Sequence, residues 1–146
     1  MEHAEGSIVI EAPLEDIVEV LEDFEAYPEW ADVRTVDVRQ RGEGGRATEV
    51  AFEVDVPVLG KAGYTLAYQY AAGDTGMSWV TKEARGAVRD IRGEYLFHEL
   101  GDGTTKVTYK LGVELGVLVP GFLRSEGAKR VTENALEKLK RRVEMG

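Results

Sequence analysis

From Val36 to Leu115 the apolar residues keep a period of two, and only after Pro120 does a helical period take over. Val36 and Val38 begin it, and Val50, Phe52, Val54 and Val56 then alternate with Glu49, Ala51, Glu53 and Asp55, as a half-buried strand does. Tyr64, Leu66, Tyr68 and Tyr70 share one face of the next segment. Met77, Trp79 and Thr81 follow, then Ile91, Gly93, Tyr95 and Phe97, and last Val107, Tyr109, Leu111, Val113 and Leu115. Turn residues separate these runs: Gly42, Gly44 and Gly45; Pro57 and Gly60; Gly73-Asp74-Thr75-Gly76; Gly86; Gly101-Asp102-Gly103. Strands joined by links this short run antiparallel. The pattern predicts a six-stranded meander.

The flanks supply the rest. Residues 7–12 form a first strand with Ile8 and Ile10 on one face, and residues 1–5 are expected to fray. Pro13 suits the start of a helix striped by Leu14, Ile17, Val18 and Leu21. Residues 24–30 read as a second short helix or turn, ended at the Tyr27-Pro28 step. Beyond Pro120, Ala128, Val131, Ala135, Leu139 and Val143 lie on one helical face, with Thr132 and Leu136 beside them. A helix is about 10 Å wide, and seven strands about 4.8 Å apart span roughly 30 Å. One helix cannot cover that sheet flat. The sheet must curl around it, leaving space where the two diverge.

The chain has 146 residues, one domain's worth, and no cysteine, which excludes disulfides and thiolate chemistry. No apolar stretch approaches the ~20 residues of a spanning helix. Nothing at the N-terminus resembles a leader, so a cytoplasmic protein without stable membrane insertion is expected. Residues 1–30 carry ten acids and no lysine or arginine, so this segment carries the whole net charge of −9. Such a charge repels a phosphate backbone, and nucleic acid is excluded as a partner. Association as a homodimer is left open.

Catalysis would need an acid or base in the cavity. His3 falls in the tail, and His98 shares parity with Leu96 and Leu100, away from Tyr95 and Phe97. Glu83, Arg85 and Glu99 fall in register with cavity residues only at strand ends, as rim charges. Tyrosine is the one acid expected inside. No catalytic residue, metal ligand or cofactor is assigned.

Several motifs carry a family likeness. Ala12-Pro13 before an amphipathic helix, the run from Leu21 to Trp30 (LEDFEAYPEW), Gly93-Glu94-Tyr95, residues 103–109 and the segment from Leu118 to Leu123 (LVPGFL) resemble the START-like helix-grip superfamily (SRPBCC). More narrowly they resemble its bacterial polyketide cyclase/dehydrase and coenzyme-Q-binding-like members, over about residues 6–143. The resemblance implies an α+β helix-grip fold over residues 1–146: a seven-stranded curled antiparallel sheet around a long C-terminal helix, with two short helices after strand 1. It also implies an apolar cavity between sheet and helix that takes a lipid, quinone or polycyclic aromatic. The expected ligand-binding residues are Trp30, Phe52, Tyr64, Tyr68, Trp79, Tyr95, Phe97, Tyr109, Phe122, Val131 and Ala135. The alternatives are a polyketide cyclase, aromatase or dehydratase and, third, a regulator that binds ribosomes or a partner protein. The apolar segment 115–123 reads either as a buried strand end or as a gate touching the ligand or a membrane surface.

Overall fold

The computed structural model describes all of residues 1–146. Strand β1 (Glu2–Ile10) leads into helix α1 (Leu14–Glu22), a 3-10 turn at Phe24–Ala26 and helix α2 (Tyr27–Trp30). The meander follows as β2 (Thr35–Arg41), β3 (Ala47–Val56), β4 (Gly60–Tyr70), β5 (Gly76–Gly86), β6 (Val88–Glu99) and β7 (Thr105–Leu115), before helix α3 (Gly121–Met145). The seven strands form one sheet in the order β1-β7-β6-β5-β4-β3-β2, every neighbouring pair antiparallel. The sheet's order brings β1 beside β7 and leaves β1 and β2 as its opposite edges, with α3 packed over β1 and β7. This is the expected helix-grip arrangement.

Several expectations are corrected. The segment 1–5 does not fray, because β7 runs on to Leu115 and offers β1 a full-length partner, from Glu2 opposite Val113 to Ile10 opposite Thr105. The Tyr27-Pro28 step opens α2 rather than ending a helix, since proline's fixed φ suits a first helical turn. Gly93 pairs regularly with Trp79 and Leu111. Glycine is needed there because a Cβ would stand 2.9 Å from the Trp79 ring and 2.5 Å from Lys110 O. The irregularity in β5 lies at Lys82, between the pairs Leu66–Thr81 and Thr65–Glu83. That extra residue inverts parity and carries Glu83 and Arg85 to the outer face, so they are not rim groups of the interior. Arg85 lies over Gly63 and pairs with Glu53.

The β5–β6 ladder is short. Residues 76–79 pair with 93–96, and beyond them the Thr81 hydroxyl bridges the gap. It donates to Ile91 O at 2.6 Å and accepts from Ile91 N–H at 2.8 Å.

Helix α3 crosses β1 at Gly6, where a Cβ would meet Thr132 and Leu136 at 3.2 and 3.3 Å. Its buried stripe is Ala128, Thr132, Leu136 and Leu139, one position round from the predicted face. Val131 is consequently half exposed and Ala135 partly buried. The core gathers Ile10, Ile17, Leu21, Phe24, Val50, Val107 and Leu139 with the aromatic face of the sheet.

Candidate ligand-binding site

Alternation along β3 to β7 puts one aromatic row on the concave face. Phe52 lies 5.8 Å from Tyr64, and Tyr68 lies 5.7 Å from Trp79, ring centre to ring centre. Trp79 in turn lies 5.5 Å from Tyr95 and 5.8 Å from Tyr109, and Tyr95 stacks on Tyr109 at 4.8 Å and on Phe97 at 6.3 Å. Trp30 reaches this wall from α2 through Tyr27, at 5.1 Å, and Tyr27 lies 6.1 Å from Phe52. Eight of the expected residues therefore form one cluster. Ala135 packs against it from α3, while Val131 lies at the helix edge and Phe122 projects outside on the first turn of α3. Phe24 and Tyr27 were missed, although both stand in the segment that carries the family likeness. Phe24 closes on Tyr68 at 4.8 Å.

The hydroxyls divide into two groups. Tyr27 donates to Leu21 O and Tyr70 to Ala47 O, each at 2.6 Å, so these two tie down backbone. Those of Tyr64, Tyr68, Tyr95 and Tyr109 bond to no protein atom, yet none is shut off from solvent as Trp30 Nε1 is. Four such hydroxyls on one wall are free to bond to water or to a ligand's oxygens. Burial, and then the neighbouring tyrosines, holds the pKa of Tyr68 and Tyr109 well above the ordinary value. Burial raises Tyr95 as well, and it pushes Tyr64 up to about 12. The wall is uncharged at neutral pH and can donate or accept hydrogen bonds.

One end of the sheet is tied to α1 by a single side chain. The Arg46 guanidinium, between β2 and β3, makes two hydrogen bonds to Glu22 of α1 (3.0 and 2.8 Å) and one to Asp74 (2.5 Å). It also lies 4.4 Å above the Tyr70 ring. The hydrogen bonds to Glu22 raise its already high pKa further. Alongside, Lys138 pairs with Asp32 and Arg142 with Glu29, fastening the C-terminal half of α3 to the α2 region. The N-terminal quarter of α3 has little holding it: residues 121–127 are all exposed, tied to β1 through Glu2, which pairs with Arg124 and accepts from Ser125.

The ionisable candidates lie elsewhere. His98 is exposed opposite Lys106 on the outer face, and Glu99 is exposed at the end of β6. His3, in β1 rather than a tail, lines an outer-face groove of about 490 Å³ with Glu5, Ser78, Arg92, Glu94 and Lys110. A cleft of about 270 Å³ opens beside the start of α3, between Met1, Glu2, Arg89, Glu114, Leu118 and Arg124. No ionised side chain joins the aromatic wall.

Residues 1–144 match the family model described as polyketide cyclase / dehydrase and lipid transport. The chain belongs to this family. Among solved structures the chain resembles a START superfamily protein from Mycobacterium smegmatis, at 22% identity and a TM-score of 0.89, covering 99% of each chain. It also resembles the Zhui aromatase/cyclase from Streptomyces sp. R1128, at 17% identity and a TM-score of 0.81, over 98% of this chain and 93% of that one. A STAR-related lipid transfer protein fragment from Xanthomonas axonopodis matches at 18% identity and a TM-score of 0.72, over 97% and 85%. At these identities the likeness shows the fold. No curated protein gives a significant match. The family's START-like sheet and long helix are thus shared by an aromatase/cyclase and a lipid transfer protein.

Proposed function

We propose that residues 1–146 act as one helix-grip domain that binds an uncharged, largely apolar small molecule (a lipid, a quinone or a polycyclic aromatic) between the aromatic wall and α3. The observation that carries this reading is the set of four tyrosine hydroxyls, on Tyr64, Tyr68, Tyr95 and Tyr109, without a protein partner. The rings offer flat apolar area, and the hydroxyls offer hydrogen bonds to a few oxygens, the usual make-up of a small-molecule site. The family description and the lipid transfer neighbour support it. The aromatase/cyclase neighbour keeps turnover of a polyketide-like substrate as the second class. What weighs for binding is the wall itself: burial holds its tyrosines neutral, and Glu83 and Arg85 stand on the other side of the sheet.

Native mass spectrometry of the purified protein, followed by organic extraction, tests the reading. The expected result is a stoichiometric apolar adduct, or a thermal upshift with at least one of a quinone, a fatty acid and a polycyclic aromatic. Tyr68→Phe and Tyr109→Phe should weaken retention of an oxygenated ligand while leaving melting nearly unchanged. A bare mass together with no upshift from any of the three classes overturns it.

A further inference from the structure

The sheet ends in two edges, and the fold treats them differently. Along β1, helix α3 brings side chains to the open backbone: Lys140 Nζ donates to Val9 O at 2.8 Å, and the Glu144 carboxylate accepts from Glu11 N–H at 2.8 Å. At the other end of the same strand, Arg124 and Ser125 hold the Glu2 carboxylate. The edge of β2 has no such cover. It is the last strand of the order and pairs only with β3. An open edge offers unpaired N–H and C=O groups to another strand, and folds commonly blunt it with proline, lysine or a bulge. β2 holds no proline and no lysine, and its register shifts fall after Val38. Those shifts do not turn Arg39 away, since its Nε lies 2.6 Å from Asp37 on the same exposed face.

What β2 carries is charge of both signs, in an order that complements its own reverse. Asp37 and Arg39 flank Val38. When a second β2 runs antiparallel to the first about Val38, each Asp37 faces the second copy's Arg39, and the four charges alternate in sign around a square. Moving the register by two residues sets Asp37 against Asp37 or Arg39 against Arg39. Opposite charges directly across a strand pair stabilise it and like charges destabilise it, so the charges select one register. On the other face Val36 and Val38 are only half-buried, and this register lays Gln40 and Val38 of the second copy across them.

We propose that β2 joins a second copy of this chain edge to edge, antiparallel and centred on Val38, in one sheet continuous through both copies. A second copy fits better than a foreign strand because the charge order is complementary to itself. The contact is isologous and closes at two copies, since α3 covers the other edge. Val36 lies opposite Phe52, so the joint borders the aromatic wall. Pairing needs no ligand, so this proposal and the binding reading fail separately.

The test is sedimentation equilibrium of the full chain over a wide concentration range. About 0.15 M salt screens the long-range repulsion between two chains of net charge −9. The weight-average mass is expected to rise with concentration from one chain to two and no further. Asp37→Arg and Arg39→Asp, both at exposed positions, should keep the urea midpoint and each weaken association about tenfold or more. Mixed in equal amounts, the two variants should pair again, because one chain then offers two arginines at positions 37 and 39 and the other two aspartates. Misfolding cannot produce that recovery. A chain that stays monomeric throughout overturns the proposal, as does growth beyond two copies. A dimer that both single variants leave intact places the contact elsewhere and overturns it too, and so does loss in the variants without recovery on mixing.

Discussion

At the α1 end of the sheet Ile10, Ile17 and Leu21 expose no surface, while at the opposite end Val58, Leu118 and Phe122 stand in solvent. The same helix shows the difference along its own length. Leu136 and Leu139 are buried and Lys138 and Arg142 are paired to the α2 region, whereas residues 121–127 are exposed throughout. Tight packing and exposed apolar side chains thus lie at opposite ends of one sheet.

The largest effect expected to separate the two ends comes from Leu139→Ala. Cutting back a fully buried leucine costs about 2–5 kcal/mol, at roughly 2–4 °C of melting temperature per kcal/mol in a chain this size. Leu123→Ala, half exposed on the free end of the helix, should stay within about 0.5 kcal/mol. Equal losses by calorimetry would break the comparison. Arg46→Ala removes the clamp between α1 and the β2–β3 and β4–β5 turns and should cost about 1–3 kcal/mol in urea titration. Alkaline pH probes the wall between the ends. Its tyrosines are raised in the folded state, to about 12 at Tyr64, against about 10 unfolded. The unfolded chain therefore loses these protons first, so stability is complete below about pH 10 and declines as pH rises toward 12 and beyond. A flat urea midpoint over that range would show freely hydrated hydroxyls. The smallest difference is the sharpest: Tyr70→Phe should cost about 1 kcal/mol for its bond to Ala47 O, and Tyr109→Phe less than half of that.

The strands were legible because one buried face imposes a period of two, which β4 and β7 follow without interruption and β3 follows from Val50 on. The first strand was half legible: its early inward positions, Ala4 and Gly6, are small because α3 crosses there, so they carry no apolar signal. Glu83 and Arg85 were placed on the wrong face because one inserted residue, Lys82, flips everything after it, and local sequence does not mark such an insertion. The aromatic row of the candidate site was readable from parity alone. Which tyrosines bond to backbone was not, since Leu21 O and Ala47 O become acceptors only once the chain is folded. Val58 shows the same limit, because its left-handed φ of +71° belongs to the turn and not to valine.

The Thr81 bridge has a mechanical consequence. Beyond residues 76–79 and 93–96, a side chain rather than a ladder joins β5 to β6, while the neighbouring β4–β5 and β6–β7 ladders run much further. The sheet is therefore two stiff panels, β1-β7-β6 and β5-β4-β3-β2, creased along one line. Flexing at that crease would change the width of the concave side by stretching two hydrogen bonds at Ile91, without repacking either panel.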